Sequence, residues 1–136
     1  MIDTSVMVAG LVRNHELRAV ARPHVVESAR GQVPGIVVAE TWAALRRAPW
    51  NLDAATVAQT LGPWSSERRV AATAASTYAE ALRAGRGLNL GGNVHALFIA
   101  MTGRDHGLPT ATLDRRQASL ASGLTDLETI LLLAEG

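Results

Sequence analysis

Apolar positions along the chain switch between short continuous or β-branched runs and longer stretches at helical spacing, a pattern of strands alternating with helices. Ile2 and Asp3 read as a short buried strand, with Thr4 or Ser5 as the N-cap of a helix running to Val12. Over residues 16–30, Leu17, Val20 and Val25 fall on one side of a helix that Pro23 should kink or divide and Gly31 ends. Pro34 and Gly35 punctuate the next segment, where a short β-branched run leads into a helix carrying Glu40 near its start and stopping by Pro49. Asp53 caps a short helix to Leu61, closed by Gly62-Pro63. Residues 65–85 read as one long helix capped by Ser65 or Ser66 and ended by Gly85.

The stretch "GRGLNLGGN" that follows is a loop. It only partly matches a dinucleotide-binding glycine pattern, and no strand precedes it. A helix over 94–104 comes next, then a strand "TATL" introduced by Gly107 and Pro109 and ending at Asp114, and one more helix over 115–122. The closing "LETILLL" has the unbroken apolar character of a strand covered on both faces. The spacing therefore predicts a single three-layer α/β/α domain over residues 1–136 with a mainly parallel central sheet.

Composition narrows the chemistry. With 136 residues and 48% apolar content the chain can bury one sizeable core. There is no cysteine, which removes disulfides, thiolate nucleophiles and cysteine-zinc sites and fits a reducing compartment. All 13 basic residues are arginine, so Schiff-base chemistry and a phosphate-loop lysine are excluded. A net charge of +1 points to nucleic acid only if the arginines cluster. No apolar run reaches the roughly 20 residues needed to cross a bilayer, and the N-terminus lacks the order of a secretory signal. The expectation is a soluble, cytoplasmic protein.

Asp3, Glu40 and Asp114 stand where an α/β sheet would bring them to the carboxyl ends of its strands. Hard divalent cations prefer oxygen ligands drawn from distant parts of a chain, with positions left open for water and phosphate. Each acid also has a local use: Asp3 and Asp114 as helix caps, Glu40 as a first-turn partner of the helix dipole. The other acids read as caps and solvated faces. His15, His24 and His106 show no ligand spacing, and Trp42, Trp50 and Trp64 read as core or interface anchors.

"MIDTSV", "VVAETWAALRR", "NVHALFIA" and "HGLPTATLD", in that order, resemble the successive motifs of PIN-domain ribonucleases, in particular the VapC-type toxins of toxin–antitoxin systems. The resemblance spans nearly the whole chain. It implies an endoribonuclease dependent on Mg²⁺ or Mn²⁺ that cuts structured RNA of the transfer or ribosomal class, with a cognate antitoxin as protein partner and a homodimer as its assembly. Carried over by motif, the first, second and fourth acids are Asp3, Glu40 and Asp114. A small hydroxyl residue near the first acid becomes Ser5 or Thr4, and a threonine two before the last acid becomes Thr112.

The third acid of that pattern is missing, and Ala96 stands in its place. An inactivating Asp-to-Ala change, a site rebuilt around Asn93 or His95, and a shifted motif alignment all remain open. Asn93 offers a carbonyl oxygen, whereas His95 is a softer ligand that suits Mg²⁺ poorly. Arg46, Arg47, Arg104, Arg115 and Arg116 adjoin the motifs and are candidates to track an RNA backbone, or are ordinary surface charge. The apolar faces around residues 36–64 suit an antitoxin groove, a dimer seam or simply core. A non-catalytic PIN-like module that binds RNA or a partner is the competing expectation, and Ala96 favours it.

Overall fold

The computed structural model describes residues 1–88, 94–124 and 126–132. Asn93 and most of the "GRGLNLGGN" loop lie outside the described residues. Among the described residues, seven α-helices alternate with short parallel strands: α1 (Thr4–Leu11), α2 (Arg18–Ser28), β1 (Val33–Pro34), α3 (Gly35–Arg46), α4 (Ala54–Thr60), β2 (Val70–Ala71), α5 (Ala75–Gly85), α6 (His95–Asp105), β3 (Thr110–Thr112), α7 (Arg115–Ser122) and β4 (Thr129–Leu131). β1 pairs with β2 and β3 with β4, each pair parallel. Ile2 adds a parallel bridge to Ala111, so β3 lies between the chain's first residues and β4. This is an α/β fold with a parallel sheet component, as the alternating pattern predicted, although every strand is very short.

The N-terminal strand is reduced to that one bridge, held by the Ala111 amide donating to the Met1 carbonyl (2.8 Å) and the Asp3 amide donating to the Ala111 carbonyl (3.0 Å). Helix α1 begins immediately after Asp3, and Asp3 itself is the N-cap rather than Thr4 or Ser5. Its position in the chain therefore joins the edge of β3 to the start of a helix.

Several elements depart from the sequence pattern. Pro23 does not divide α2, and Val20 is 43% exposed while Val25 is buried. The β-branched residues Ile36 to Val38 lie in α3, because Val37, Thr41 and Leu45 recur at four-residue spacing and bury one helical face. Glu40 is consequently in the middle of that helix. Residues 65–85 are not one helix: a 3₁₀ turn over Glu67–Arg69 leads into β2, and only Ala75–Gly85 is helical. The alanine-rich composition favours helix locally, but the pairing of Val70 and Ala71 with β1 overrides it. β4 is not covered on both faces, since Ile130 is 52% exposed.

Two groups of buried side chains form the interior. The larger runs from Ile2, Val6 and Met7 through Val33, Val37 and Leu45 to Val57, Leu61 and Trp64, so much of the apolar surface around residues 36–64 is core. The smaller joins Ala81 of α5, Leu97, Phe98 and Met101 of α6, Ala121 of α7 and Leu127. Trp64 is buried, Trp50 packs beside the core against His15, and Trp42 is exposed. Gly10 allows α1 to lie close on α2, because a Cβ there would run into Val25. These contacts fix the N-terminal end of α1 beside α3, α6 and the C-terminal end of β3.

Candidate functional site

Four elements meet at that end. Asp3, Thr4 and Ser5 at the start of α1, Glu40 of α3, His95, Ala96 and Ile99 of α6, and Asp114 and Gln117 around the start of α7 line one open pocket. The three acids singled out in the sequence are therefore brought together despite their separation along the chain.

Asp3 is only 2% exposed. Its Oδ1 accepts from the Ser5 hydroxyl (2.6 Å) and the Val6 amide (3.0 Å), and its Oδ2 accepts from the Thr112 hydroxyl. The Thr112 oxygen in turn accepts from the Asp114 amide (2.9 Å), and the Ser5 oxygen accepts from the Leu113 amide (3.0 Å). Ser5 and Thr112 thus tie the first acid to the backbone that carries the last. Asp114 is more open: its carboxylate caps α7 by accepting from the Arg116 amide (2.8 Å).

Glu40 is held separately. Thr4 donates to its Oε1 (2.8 Å) and His95 Nδ1 lies 2.9 Å from its Oε2. His95 is thus a partner of Glu40 on the pocket rim. Ala96 presents only a methyl group to the same pocket. Among the described residues, no three or more His, Asp or Glu side chains stand together in an arrangement able to hold a metal ion. The donor set is right in kind for a hard cation, being carboxylate oxygen, but the three acids are not gathered into a metal-holding group.

Burial pushes the Asp3 carboxyl above its ordinary range, and neighbouring Asp114 adds to this, while the bonds from Ser5, Thr112 and Val6 pull the other way. A raised folded-state value means the native protein holds the proton more tightly than the unfolded chain does. The resulting penalty is absent below the unfolded pKa and grows as pH rises through the folded one. Asp3→Asn, which keeps a capping oxygen, is therefore expected to raise Tm at neutral pH, with the gain fading on acidification. Thermal melts of both proteins across pH 3.5–8 check this, where the window is roughly the carboxylate titration range.

The arginines separate into two groups. Arg104 binds Glu80 (2.7 and 2.8 Å), Asp105 (2.9 Å) and Asp126 (3.0 Å), so its charge is committed within the fold. Its guanidinium is thus occupied by acids of its own chain. Arg46 donates to the Leu52 carbonyl (3.1 Å), while Arg47, Arg115 and Arg116 have exposed side chains. Arg115 and Arg116 open α7 directly beside the pocket. Nothing in the sequence pattern singles out Gln117, yet it lines the pocket and is 7% exposed. The one available signal is its place three residues after Asp114, which puts both on one helical face.

A PIN domain family model matches residues 1–123. The chain belongs to the PIN domain family. PIN domains are generally metal-dependent nucleases, which agrees with acids from the beginning, middle and end of the chain meeting at one pocket. Among curated proteins, none matches this PIN domain significantly. No helix among its described residues is long and apolar enough to cross a membrane.

Proposed function

We propose that this PIN domain is the toxin of a type II toxin–antitoxin pair, a VapC-type endoribonuclease whose metal centre is impaired at position 96. The observation that carries the proposal is the shared pocket: Asp3, Glu40 and Asp114 line it, and so does Ala96, at the place of the missing acid. Asp3, Glu40 and Asp114 would be the ligands of a Mg²⁺ or Mn²⁺ ion. Such an ion supplies charge neutralisation and an acidified water to phosphodiester hydrolysis.

The chain's own residues do the positioning. Ser5 and Thr112 orient the Asp3 carboxylate, and the short path from Thr112 to the Asp114 amide keeps the two acids in fixed relation. Thr4 and His95 hold Glu40 at the pocket wall. Arg115 and Arg116 draw an RNA backbone of the transfer or ribosomal class toward it, with Arg46 and Arg47 extending the basic surface. A cognate antitoxin and a second copy of the chain are the protein partners, and the cytoplasm is where both act. The exposed indole of Trp42, two residues after Glu40 and so on another face of α3, suits a protein contact away from the pocket.

A second reading, a PIN module that binds RNA without cutting it, is favoured by the lack of a metal-binding group among the described residues. Both readings require RNA binding. Fluorescence anisotropy with a labelled structured RNA at several salt concentrations is expected to give affinity that falls steeply as salt rises. In the double variant Arg115→Ala/Arg116→Ala, the slope of log K against log salt should shrink by about one for each phosphate no longer neutralised. Arg104→Gln should leave the slope unchanged. A wild-type protein that binds no RNA at low salt would sink both readings; added Mg²⁺ without cleavage is compatible only with an impaired or absent centre.

A further inference from the structure

The pocket wall is rich in acceptors, and its side-chain donors besides Gln117 are two hydroxyls and His95, whose Nδ1 lies 2.9 Å from Glu40. Asp3, Glu40 and Asp114 are carboxylates, and the hydroxyls of Thr4 and Ser5 already donate to Glu40 and Asp3. A phosphodiester brings only acceptor oxygens and negative charge, so it needs donors there. Among the described residues, six buried side-chain polar atoms have no hydrogen-bond partner, and of their residues only Gln117 lines this pocket. Its unpartnered atom is Nε2, a donor closed off from solvent, so a rotation of the carboxamide would present it to the pocket. A buried N–H left without an acceptor is costly, and such an exception calls for an explanation, of which a bound group is one.

We infer that the Gln117 carboxamide is a substrate-binding group, donating from Nε2 to a non-bridging oxygen of the RNA phosphate held in the pocket; this rests on the RNA-directed function proposed above. Gln117 stands in the first turn of α7, one turn after the capping Asp114, so a phosphate bound to it lies close to the start of that helix. Ala96 helps in the same direction. Its methyl group adds no negative charge to the pocket wall. The amide is neutral, so its contribution is independent of counterion release, unlike that of Arg115 and Arg116.

The test uses the full chain and a fluorescein-labelled oligouridylate as probe, with binding read by anisotropy over a range of salt and folding read by thermal melts. Gln117→Leu should weaken binding by about tenfold, the effect of losing roughly 1.4 kcal/mol, at every salt concentration and with no change in salt slope. Its Tm should hold or rise, because an unsatisfied buried donor is removed. Gln117→Glu, which keeps the shape and replaces the donor by an anion, should weaken binding further. Unchanged RNA affinity in Gln117→Leu overturns the assignment. If binding is unchanged while Tm falls, the amide serves the fold alone. Should Gln117→Leu fail to fold, unaltered binding by Gln117→Glu overturns the assignment equally. Loss of binding in Arg115→Ala/Arg116→Ala with none in the Gln117 variants leaves the RNA-directed function standing and removes only Gln117. A wild-type chain that binds no oligouridylate and no structured RNA removes both.

Discussion

Ala96→Asp is expected to convert the protein into an efficient Mg²⁺-dependent ribonuclease, raising the cleavage rate by roughly a hundredfold or more, the scale on which one missing electrostatic stabiliser alters a rate. Ala96 already lines the pocket with Asp3, Glu40 and Asp114, so the change adds a fourth carboxylate to it. The cost falls on the empty protein. Another carboxylate enters a pocket where burial and Asp114 already push the Asp3 proton affinity up, so the variant without metal should melt below the parent. Added Mg²⁺ should recover the loss, since a ligand that binds only the native state stabilises it by mass action. Gel assays of labelled RNA with Mg²⁺ or with chelator, beside calorimetric titration with Mn²⁺, check both halves. The double variant Ala96→Asp/Asp3→Asn should return to the parental rate. If Ala96→Asp gains neither cleavage nor metal affinity, position 96 is not the gap in a metal centre, and the non-cutting RNA module becomes the better account.

Two of the acids, Asp3 and Asp114, were legible in the sequence because they sit at transitions between elements, which leave strong local marks, whereas Glu40 lies in the middle of α3. Asp3 precedes a helix and follows an apolar residue, and Asp114 follows "TATL"; both prove to be helix N-caps facing the pocket. Capping and pocket lining are therefore compatible uses of the same carboxylate, which spacing alone presents as alternatives. The elements that depended on distant partners were less legible. Residues 65–85 carry helical composition, and only the partner strand β1 explains why Val70 and Ala71 are extended. The β-branched run at 36–38 looks extended, but burial of Val37 against the core at the same helical face as Thr41 and Leu45 decides for α3. Arg104 has the look of a surface cation beside a motif. Three acids, from α5, α6 and the segment before β4, claim it in the folded chain. Gln117 is illegible for a different reason: a glutamine in a helix carries no charge or ligand signal until its surroundings are known.

Gly103→Ala should be the most damaging conservative change to the fold, lowering stability by about 2 kcal/mol, equivalent to roughly 5–8 °C in Tm for a domain of this size. Gly103 lies on α6 seven residues after Ala96, near the same helical face, and faces the turn into β3. A Cβ there would stand 2.7 Å from Thr110 Oγ1 and 2.8 Å from the Leu108 carbonyl oxygen. Replacing a helical glycine by alanine gains about 1 kcal/mol in intrinsic propensity, but the clash opposes it. The carbonyl cannot swing aside as a side chain could, because the Leu108 amide is itself bonded to the Gly103 carbonyl (2.9 Å). Helix α6 must therefore shift away from β3, and that strand carries the Thr112 hydroxyl that orients Asp3. A second substitution separates the two contacts: Thr110→Ala removes one of them along with a buried hydroxyl that has no partner, so the pair Gly103→Ala/Thr110→Ala should recover part of the loss, and the Leu108 carbonyl should retain the rest. Chemical denaturation of the single and double variants measures the coupling between the positions. A Gly103→Ala protein as stable as the parent would mean that α6 and β3 are not held at the close approach on which the pocket's geometry depends.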